Sequence, residues 1–318
     1  MKAVRIHEYG GPEVLTYEDA PRPAPREGEL LVRVHAAGVN PADWQIRSGK
    51  RSRLTGPFSL IPGFDVSGVV EATGRGVDRF KAGDAVYGML SLGKGGAYSE
   101  YVAGTAENFA RKPRSLGHVE AAAMPVAALT AWQALFDAAG LSAGQTVLIH
   151  AAAGGVGHIA VQLSKWKGAH VIGTASGRNA SFLRGIGADQ VVDYTTTRLE
   201  EVVAGVDVVL DCVPRDVDAA TDAAAEQTLE RSRRVLRKNG VLVSICAGPS
   251  PESAGSGVTE MYVLAQSNGP QLAEIARLVD GGHVKPTVNT VLPLRQARRA
   301  HELSQEGHTR GKIVLRVV

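Results

Sequence analysis

The hydrophobic and polar positions divide the chain into two regions. From Thr146 onward, short apolar runs alternate with segments of helical periodicity, which is typical of a doubly wound parallel sheet. Strands are predicted at 146–150, 169–174, 190–193, 207–212, 240–246, 258–265 and 311–317. Helices are predicted at 155–167, 178–186, 219–238 and 270–281.

The N-terminal region is β-rich instead. Short apolar or alternating runs predict strands at 4–7, 30–36, 66–73, 83–88 and 97–102. The turns between them are rich in proline and glycine, and this spacing predicts a compact barrel-like unit. The alanine-rich segment 120–136 then predicts a helix that Pro125 breaks or begins.

The most informative stretch joins a strand to a helix through small residues and reads Ala151-Ala-Ala-Gly-Gly-Val-Gly157. Small residues let the backbone approach a diphosphate, and the free N–H groups at a helix N-terminus attract negative charge. Ala152 replaces the first glycine of the usual G-x-G-x-x-G fingerprint, so a plain strand-to-helix turn is the alternative. The flanking strand and helix favour a dinucleotide site, and its residues are Ala153, Gly154, Gly155, Val156 and Gly157.

The residues after the second strand of this region indicate which dinucleotide binds. An NAD-specific site carries Asp or Glu about 20 residues beyond the glycines. Here the segment reads Ala175-Ser-Gly-Arg-Asn179, with no acid before Asp189. Ser176 and Arg178 offer a hydroxyl and a forked cation that match a 2′-phosphate, which predicts NADP(H). The alternative for Arg178 is a solvent-facing residue that opens a helix.

Composition narrows the classes of function. The 318 residues suffice for two domains, and a formal net charge of +3 from scattered basic residues argues against nucleic acid. Cys212 and Cys246 each end an apolar run, are predicted to be strand residues, and fit no zinc spacing. The first residues lack the apolar core of a signal peptide, and no segment approaches the roughly 18 apolar residues of a membrane span. We expect a cytoplasmic protein without a membrane partner.

Several motifs together resemble the medium-chain dehydrogenase/reductase superfamily. They occur in consistent order along the chain at 38–43, 61–70, 80–87, 129–135, 151–157 and 311–315. Within that superfamily the chain resembles the zinc-free quinone oxidoreductase branch, including reticulon-interacting oxidoreductase-like proteins. The resemblance implies an α/β fold, with a Rossmann NADP-binding domain over 125–265 and a GroES-like substrate domain formed by 1–124 and 266–318.

The resemblance also implies hydride transfer without a metal. Alcohol dehydrogenases of the superfamily hold a catalytic zinc with Cys, His and Cys, whereas the matching positions here are Asn40, Phe64 and Val126. Residues 88–105 contain no cysteine, so a structural zinc lobe is not expected either. A quinone or an α,β-unsaturated carbonyl is electron-poor and accepts hydride with less help than an alcohol needs to lose it.

The resemblance further implies roles for individual residues. Asn40 and Asp43 are expected to line the substrate cleft as catalytic residues, although Asp43 fits a structural role in the Asn-Pro turn equally well. Asn40 and Thr130 are expected near the nicotinamide, and Tyr194 beside the 2′-phosphate. Without the resemblance, Thr130 is a buried helix residue and Tyr194 an ordinary aromatic at a strand end. The other expected cofactor contacts are Cys212, Ala247 and Lys312.

One loop departs from the branch. Many members place a tyrosine after Ser-Gly in the loop that follows the Asn-x-x-Asp turn, but here that loop reads Arg47-Ser-Gly-Lys-Arg-Ser-Arg53. Its charges are a hint of an enoyl-thioester reductase with a phosphate-bearing substrate, and the alternative is a solvated loop. The missing tyrosine also leaves open a non-catalytic, regulatory NADPH-binding protein.

The expected activity is therefore zinc-independent, NADPH-dependent reduction of a small quinone or α,β-unsaturated carbonyl. Members of the branch dimerise by pairing an edge strand of the cofactor domain, and the segment 258–265 suits that role. The resemblance thus implies a homodimer.

Overall fold

The computed structural model describes residues 1–51, 57–215, 219–249 and 257–318. Within these ranges no helix combines the length and the apolar character that crossing a membrane requires. The chain forms two units, which are described separately.

The strands and helices follow one another along both units. In chain order the strands are β1 (Lys2–Arg5), β2 (Thr16–Asp19), β3 (Glu29–Val39), β4 (Asp65–Thr73), β5 (Ala85–Met89), β6 (Tyr101–Thr105), β7 (Phe109–Arg111), β8 (Thr146–Ile149), β9 (His170–Ala175), β10 (Gln190–Asp193), β11 (Val206–Asp211), β12 (Leu236–Ser244), β13 (Thr259–Tyr262), β14 (Val288–Pro293) and β15 (Lys312–Arg316). The α-helices are α1 (Pro41–Arg47), α2 (His118–Ala122), α3 (Pro125–Trp132), α4 (Gly157–Lys167), α5 (Ala180–Gly185), α6 (Leu199–Val202), α7 (Ala219–Val235), α8 (Gly269–Asp280) and α9 (Ala297–Gln305). A π-helical turn, Gln133–Ala138, follows α3.

Unit 1 consists of Met1–Leu129, Gln266–Gly282 and Pro286–Val318, and unit 2 of Thr130–Ala265 and His283–Lys285. The boundaries predicted from the sequence lie at 124/125 and 265/266.

Unit 2 is built on a parallel sheet with the strand order β10-β9-β8-β11-β12-β13. The order reverses at β8, which lies between β9 and β11, and this is the arrangement of dinucleotide-binding sheets. Central strands of such a sheet are covered on both faces, which is why Val147, Leu148 and Ile149 form an unbroken, fully buried apolar run. The predicted doubly wound sheet is confirmed.

Unit 1 is built on a mostly antiparallel sheet with the order β14-β15-β3-β4-β5-β7, and β6 pairs with β3 beside this path. The central strand, β3, pairs antiparallel with β4, β6 and β15. Alternate residues of β3, including Leu30, Val32 and Val34, enter the core of the unit. The predicted β-rich, GroES-like unit is confirmed.

The structure corrects several predicted elements. The predicted helix 219–238 ends at Val235 and β12 begins at the next residue, so the strand predicted at 240–246 starts earlier and ends at Ser244. The strand predicted at 97–102 is β6, which begins only at Tyr101, and the helix predicted over 120–136 is divided into α2, α3 and the π-helical turn. Six elements were not predicted from the sequence: α1, α6, α9, β2, β7 and β14.

A buried arginine ties α1 to α9. Arg47 is 1% exposed, and its guanidinium donates to the Gly10 carbonyl at 3.2 Å, to Nδ1 of His301 at 3.2 Å and to Oε1 of Gln305 at 3.0 Å. The prediction of a basic loop over 47–53 is therefore wrong for its first residue, because Arg47 is the last residue of α1 and is buried. Arg53, the last residue of that loop, lies outside the described residues.

The polar chain continues from Arg47 to the other end of α1. Burial lowers the pKa of His301 to about 3, so the ring is neutral, and with Nδ1 accepting from Arg47 its Nε2 donates to the Tyr98 hydroxyl at 3.3 Å. The Tyr98 hydroxyl in turn donates to Oδ2 of Asp43 at 2.9 Å. Asp43 and Arg47 are four residues apart on α1, so the chain returns to the same face of that helix.

Asp43 is the end of this chain and is buried. Its Oδ2 accepts from Tyr98 and from the Asn40 N–H at 2.8 Å, whereas Oδ1 is buried with no hydrogen-bond partner in the described part of the chain. Burial raises the pKa of Asp43 to about 7, and the Asp65 carboxylate acts in the same direction. The hydrogen bonds to Oδ2 and the charge of Lys312 only partly offset this rise.

We predict that the stability of the Asp43→Asn variant, relative to wild type, increases as the pH rises. Folded Asp43 keeps a proton up to about pH 7 that the unfolded chain loses near its ordinary pKa of 3.8, so its contribution to the free energy of unfolding declines between these values. Denaturant titrations should show the stability of Asp43→Asn rising relative to wild type by about 3 kcal/mol between pH 5 and pH 8.

The control is Asp19→Asn, on exposed strand β2, where the hydrogen bond from Lys2 lowers the pKa of the carboxyl. Its stability relative to wild type should stay constant over the same range. A constant difference for Asp43→Asn would contradict the raised pKa.

Candidate active site

Asn40 stands between the end of β3 and the start of α1. Pro41 occupies the first helical position, where its missing N–H costs nothing and its fixed φ favours the helix. The Asp43 carboxyl group accepts from the Asn40 N–H, which closes the first helical turn. The structural role considered for Asp43 is therefore present, and it fixes the backbone of Asn40.

The Asn40 side chain belongs to a buried polar cluster with Asp65 and Lys312. Its Nδ2 donates to Oδ2 of Asp65 at 2.9 Å, and its Oδ1 accepts from the Lys312 ammonium. Lys312 also donates to the Val39 carbonyl at 3.1 Å and to Oδ2 of Asp65 at 3.2 Å, so its three N–H groups are all used. Both members of the ion pair are buried, with side chains 4% and 0% exposed for Lys312 and Asp65.

Strand register brings these three residues together. Asp65 is the first residue of β4 and pairs with Gly38, and Lys312 begins β15, whose next residue pairs with Val39. A side chain on Gly38 would place its Cβ 2.7 Å from Oδ2 of Asp65 and 2.4 Å from the Ala122 carbonyl, so only glycine leaves space for the carboxylate. The other oxygen of Asp65 accepts the Val126 N–H at 2.6 Å and ties the start of α3 to the cluster.

The cluster differs from a metal site in its donor chemistry. Phe64 is buried and apolar, and Val126 contributes a backbone N–H, which is a donor and not a ligand. The Oδ1 of Asn40 is already bound to a cation, the Lys312 ammonium. Across the described ranges no three His, Cys, Asp or Glu residues lie in positions that would hold a metal ion.

In unit 2 the turn between β8 and α4 has the shape expected for a diphosphate site. Ala151 adopts a left-handed φ of 48°, and the Gly154 N–H closes the turn on the Ala151 carbonyl at 2.9 Å. A Cβ on Gly157 would lie 2.4 Å from that carbonyl oxygen, so this position requires glycine. Helix α4 begins at Gly157 without a side-chain cap, and the N–H groups of its next three residues bind carbonyls of the turn, those of Gly154 and Val156.

The other predicted cofactor residues of unit 2 follow neighbouring strands at the same edge of the sheet. Ser176 and Arg178 follow β9, and Tyr194, 64% exposed, follows β10, with Ala175 paired to Asp193 in the register between the two strands. The structure thus brings Ser176, Arg178 and Tyr194 to one edge.

Sequence reasoning missed an acid at this place. A Cβ on Gly177 would lie 2.5 Å from Oδ2 of Asp193, so the carboxylate touches the predicted 2′-phosphate loop. Hydrogen bonds from the hydroxyl and N–H of Thr195, at 2.6 and 3.0 Å, lower the pKa of Asp193 and occupy its other oxygen. A search restricted to the residues after β9 cannot find this acid, because it belongs to the neighbouring strand.

Cys212 and Ala247 follow β11 and β12 at the same edge. Both cysteines were predicted to be strand residues, but Cys212 lies one position beyond β11 and Cys246 two beyond β12. A side-chain pair organises these loops: the Ser244 hydroxyl donates to buried Asp211 at 2.8 Å and accepts the N–H groups of Cys246 and Ala247 at 3.1 and 3.0 Å.

The other two predicted residues belong to a helix, α3, and to a strand of unit 1, β15. Thr130 is buried in α3, 6% exposed. Lys312, also predicted to contact the cofactor, begins β15, and its ammonium is bound within the Asn40 cluster of unit 1. The structure therefore groups Asn40, Asp43 and Lys312 in one unit, and the small-residue turn with Ser176, Arg178, Tyr194, Cys212 and Ala247 in the other.

Comparison with known proteins identifies two families that match this chain and several similar proteins. A family described as "Alcohol dehydrogenase GroES-like domain" matches residues 26–114, and one described as "Zinc-binding dehydrogenase" matches residues 186–315. The chloroplast envelope quinone oxidoreductase homolog of Arabidopsis thaliana is 35% identical over 329 residues, covering 99% of this chain and 98% of that protein. The mitochondrial NAD(P)H oxidoreductase RTN4IP1 of Mus musculus is 34% identical over 355 residues, covering 100% and 89%.

A solved structure agrees with these matches. The quinone oxidoreductase of Escherichia coli, complexed with NADPH, superimposes with a TM-score of 0.85 at 30% identity and covers 100% of both chains. The chain therefore belongs to the medium-chain dehydrogenase/reductase superfamily, with quinone oxidoreductases among its relatives.

Proposed function

We propose that this chain is an NADPH-dependent oxidoreductase that transfers hydride to a quinone or an α,β-unsaturated carbonyl without zinc. The observation that carries the proposal is that one chain has both a small-residue diphosphate turn and Asn40 at a metal-ligand position, with the Oδ1 of Asn40 bound to Lys312. The class of enzyme agrees with relatives that are named quinone oxidoreductase and NAD(P)H oxidoreductase.

The cofactor of this chain is NADP(H), which supplies the hydride when bound. The turn from Ala153 to Gly157 would hold the diphosphate on backbone N–H groups of the turn itself, at the N-terminal end of α4. Ser176, Arg178 and Tyr194 would hold the 2′-phosphate, and beside them the Asp193 carboxylate binds Thr195 through Oδ1, with Oδ2 against Gly177. We assign Thr130, Cys212 and Ala247 to the remaining contacts of the cofactor on the basis of the resemblance.

Independence from zinc rests on charge and donor type. A Zn²⁺ ion prefers thiolate, imidazole or carboxylate ligands, and the three matching side chains supply one amide oxygen that already binds an ammonium. Without a metal to polarise a weak electrophile, the acceptor must itself be electron-poor, which favours quinones and conjugated carbonyls.

The alternative enoyl-thioester reductase loses part of its support. It depended on the positive charge of the loop 47–53, and Arg47 is directed into the interior with its three bonds to Gly10, His301 and Gln305. The regulatory alternative, NADPH binding without turnover, is tested below together with the proposed activity.

We further propose a cytoplasmic homodimer that pairs β13, the edge strand of the unit 2 sheet. An edge strand offers unpaired N–H and C=O groups to a second copy. The strand is shorter than the predicted segment 258–265, which leaves four residues for pairing, Thr259–Tyr262.

We predict that the purified chain oxidises NADPH in the presence of simple quinones or conjugated enones, and that zinc chelators leave the rate unchanged because no step requires a metal. The decrease of NADPH absorbance measures the rate. Absence of turnover across a broad panel of both acceptor classes, with NADPH still bound tightly, would support the regulatory alternative. Loss of rate with a chelator and recovery with Zn²⁺ would refute independence from zinc.

We predict that Arg178→Ala weakens NADPH binding and leaves NADH binding nearly unchanged, because the guanidinium addresses only the 2′-phosphate. One charge-assisted hydrogen bond corresponds to about a 10- to 100-fold change in the dissociation constant. Fluorescence titration with both nucleotides measures it. Arg184→Ala, an exposed arginine of α5, is the matched control and should change neither constant. Equal weakening for both nucleotides would remove Arg178 from the 2′-phosphate site.

A further inference from the structure

We propose that Asn40 is the hydrogen-bond donor to the oxygen of the acceptor that becomes negative during hydride transfer, and that Lys312 and Asp65 are positioning residues that hold its amide in the donating orientation. The inference rests on the proposed function and assigns roles within the same site.

The orientation of the Asn40 amide is fixed by charges at both ends. Its Oδ1 faces the Lys312 ammonium and its Nδ2 faces the Asp65 carboxylate at 2.9 Å. A flipped amide would place N–H groups against the ammonium and an oxygen against the carboxylate, two repulsions in place of two hydrogen bonds. The amide therefore has one orientation.

This orientation leaves one donor of Asn40 unused. The amide nitrogen carries two N–H groups, and only the bond to Asp65 is made by them in the described part of the chain. The ammonium of Lys312 has three N–H groups, and all three already donate hydrogen bonds. Lys312 therefore has no donor left for a ligand. Among these three side chains, Asn40 alone can donate to a further group.

A rigid donor at this position suits the chemistry of an electron-poor carbonyl. When hydride adds to the β-carbon of an enone, the π electrons move to the carbonyl oxygen; water then supplies the proton, and NADPH is oxidised to NADP⁺. A hydrogen bond from Asn40 to that oxygen becomes stronger as the negative charge develops, so it lowers the barrier. Lys312 and Asp65 are together neutral, so they contribute orientation and not net charge.

Burial of the cluster makes the donor rigid. Asn40 is 4% exposed, and its backbone N–H is bound to Asp43. A preorganised donor stabilises charge without the reorganisation that a flexible side chain or water needs. Truncating such a donor typically slows kcat by about 100-fold or more.

The experiment compares wild type, Asn40→Ala, Lys312→Met and the double variant Lys312→Met/Asp65→Asn. The double variant is included because Lys312→Met alone leaves a buried carboxylate unpaired and risks misfolding. Lys2→Met, which removes an exposed lysine paired with Asp19, is the matched control. Circular dichroism selects the folded variants.

We expect kcat to fall by about 100-fold in Asn40→Ala and by about 10-fold or more in the two Lys312 variants. The dissociation constant of NADPH should stay within about twofold of wild type in these variants, because the cluster is assigned to the acceptor and not to the cofactor. Lys2→Met should keep the wild-type rate.

A spectroscopic readout separates this inference from the proposed function. With NADP⁺ in place of NADPH no hydride is available, so bound benzoquinone stays oxidised and its carbonyl stretch can be recorded by isotope-edited infrared spectroscopy. The stretch should move to higher frequency in Asn40→Ala, as it does when a carbonyl loses a hydrogen bond, and should broaden in the Lys312 variants.

Two results would overturn the assignment. One is wild-type kcat together with an unchanged carbonyl stretch in folded Asn40→Ala. The other is a loss of NADPH affinity of about 10-fold or more in the Lys312 variants with kcat preserved, which would return Lys312 to the cofactor site. Absence of turnover in wild type, by contrast, would contradict the proposed function, and the infrared comparison would still test the hydrogen bond.

Discussion

The buried ion pair between Lys312 and Asp65 is the constraint on which this corner of unit 1 depends. Its Nζ–Oδ2 distance is 3.2 Å, and the two side chains are almost completely removed from solvent. Desolvation makes a buried pair a poor source of net stability, but removal of either partner leaves an uncompensated charge that costs about 3–5 kcal/mol. The value of this pair is specificity, because it joins the ends of β3, β4 and β15 in one register and gives the Asn40 amide a single orientation.

A second polar system reaches the same residue from the opposite side. The chain from Arg47 through His301 and Tyr98 ends on the Asp43 carboxylate, which binds the Asn40 N–H. The short helix α1 is thus held by directed hydrogen bonds in addition to apolar packing. Directed bonds fix rotation and register, whereas apolar contacts tolerate sliding. A side chain whose backbone and amide are both held in this way has little freedom to adapt to a ligand.

Local patterns of the sequence were sufficient for part of this description. The apolar run of β8, the small residues through Gly157 and the start of α4 are contiguous, so their physics is visible in about a dozen residues. Helix α9 was not predicted because its buried positions are Ala297, Ala300 and His301, none of which is a large hydrophobic residue. Arg47 was misassigned because its partners, Gly10, His301 and Gln305, are distant in sequence. Asn40 could be named from the resemblance, but its pairing with Lys312 arises only from the register of β3 and β15.

The strand order of unit 1 has a consequence for synthesis. Lys312 lies 272 positions after Asn40, and β15 inserts between β14 and β3 in the finished sheet. During synthesis β6 can pair early with the first half of β3, but residues 36–39 of β3 lack their partner β15 until all of unit 2 has been translated. The parallel sheet of unit 2 has all its strands available earlier. During that interval the exposed part of β3 must not pair with other chains. Over the same time the carboxylate of Asp65 lacks the Lys312 ammonium that pairs with it in the folded chain.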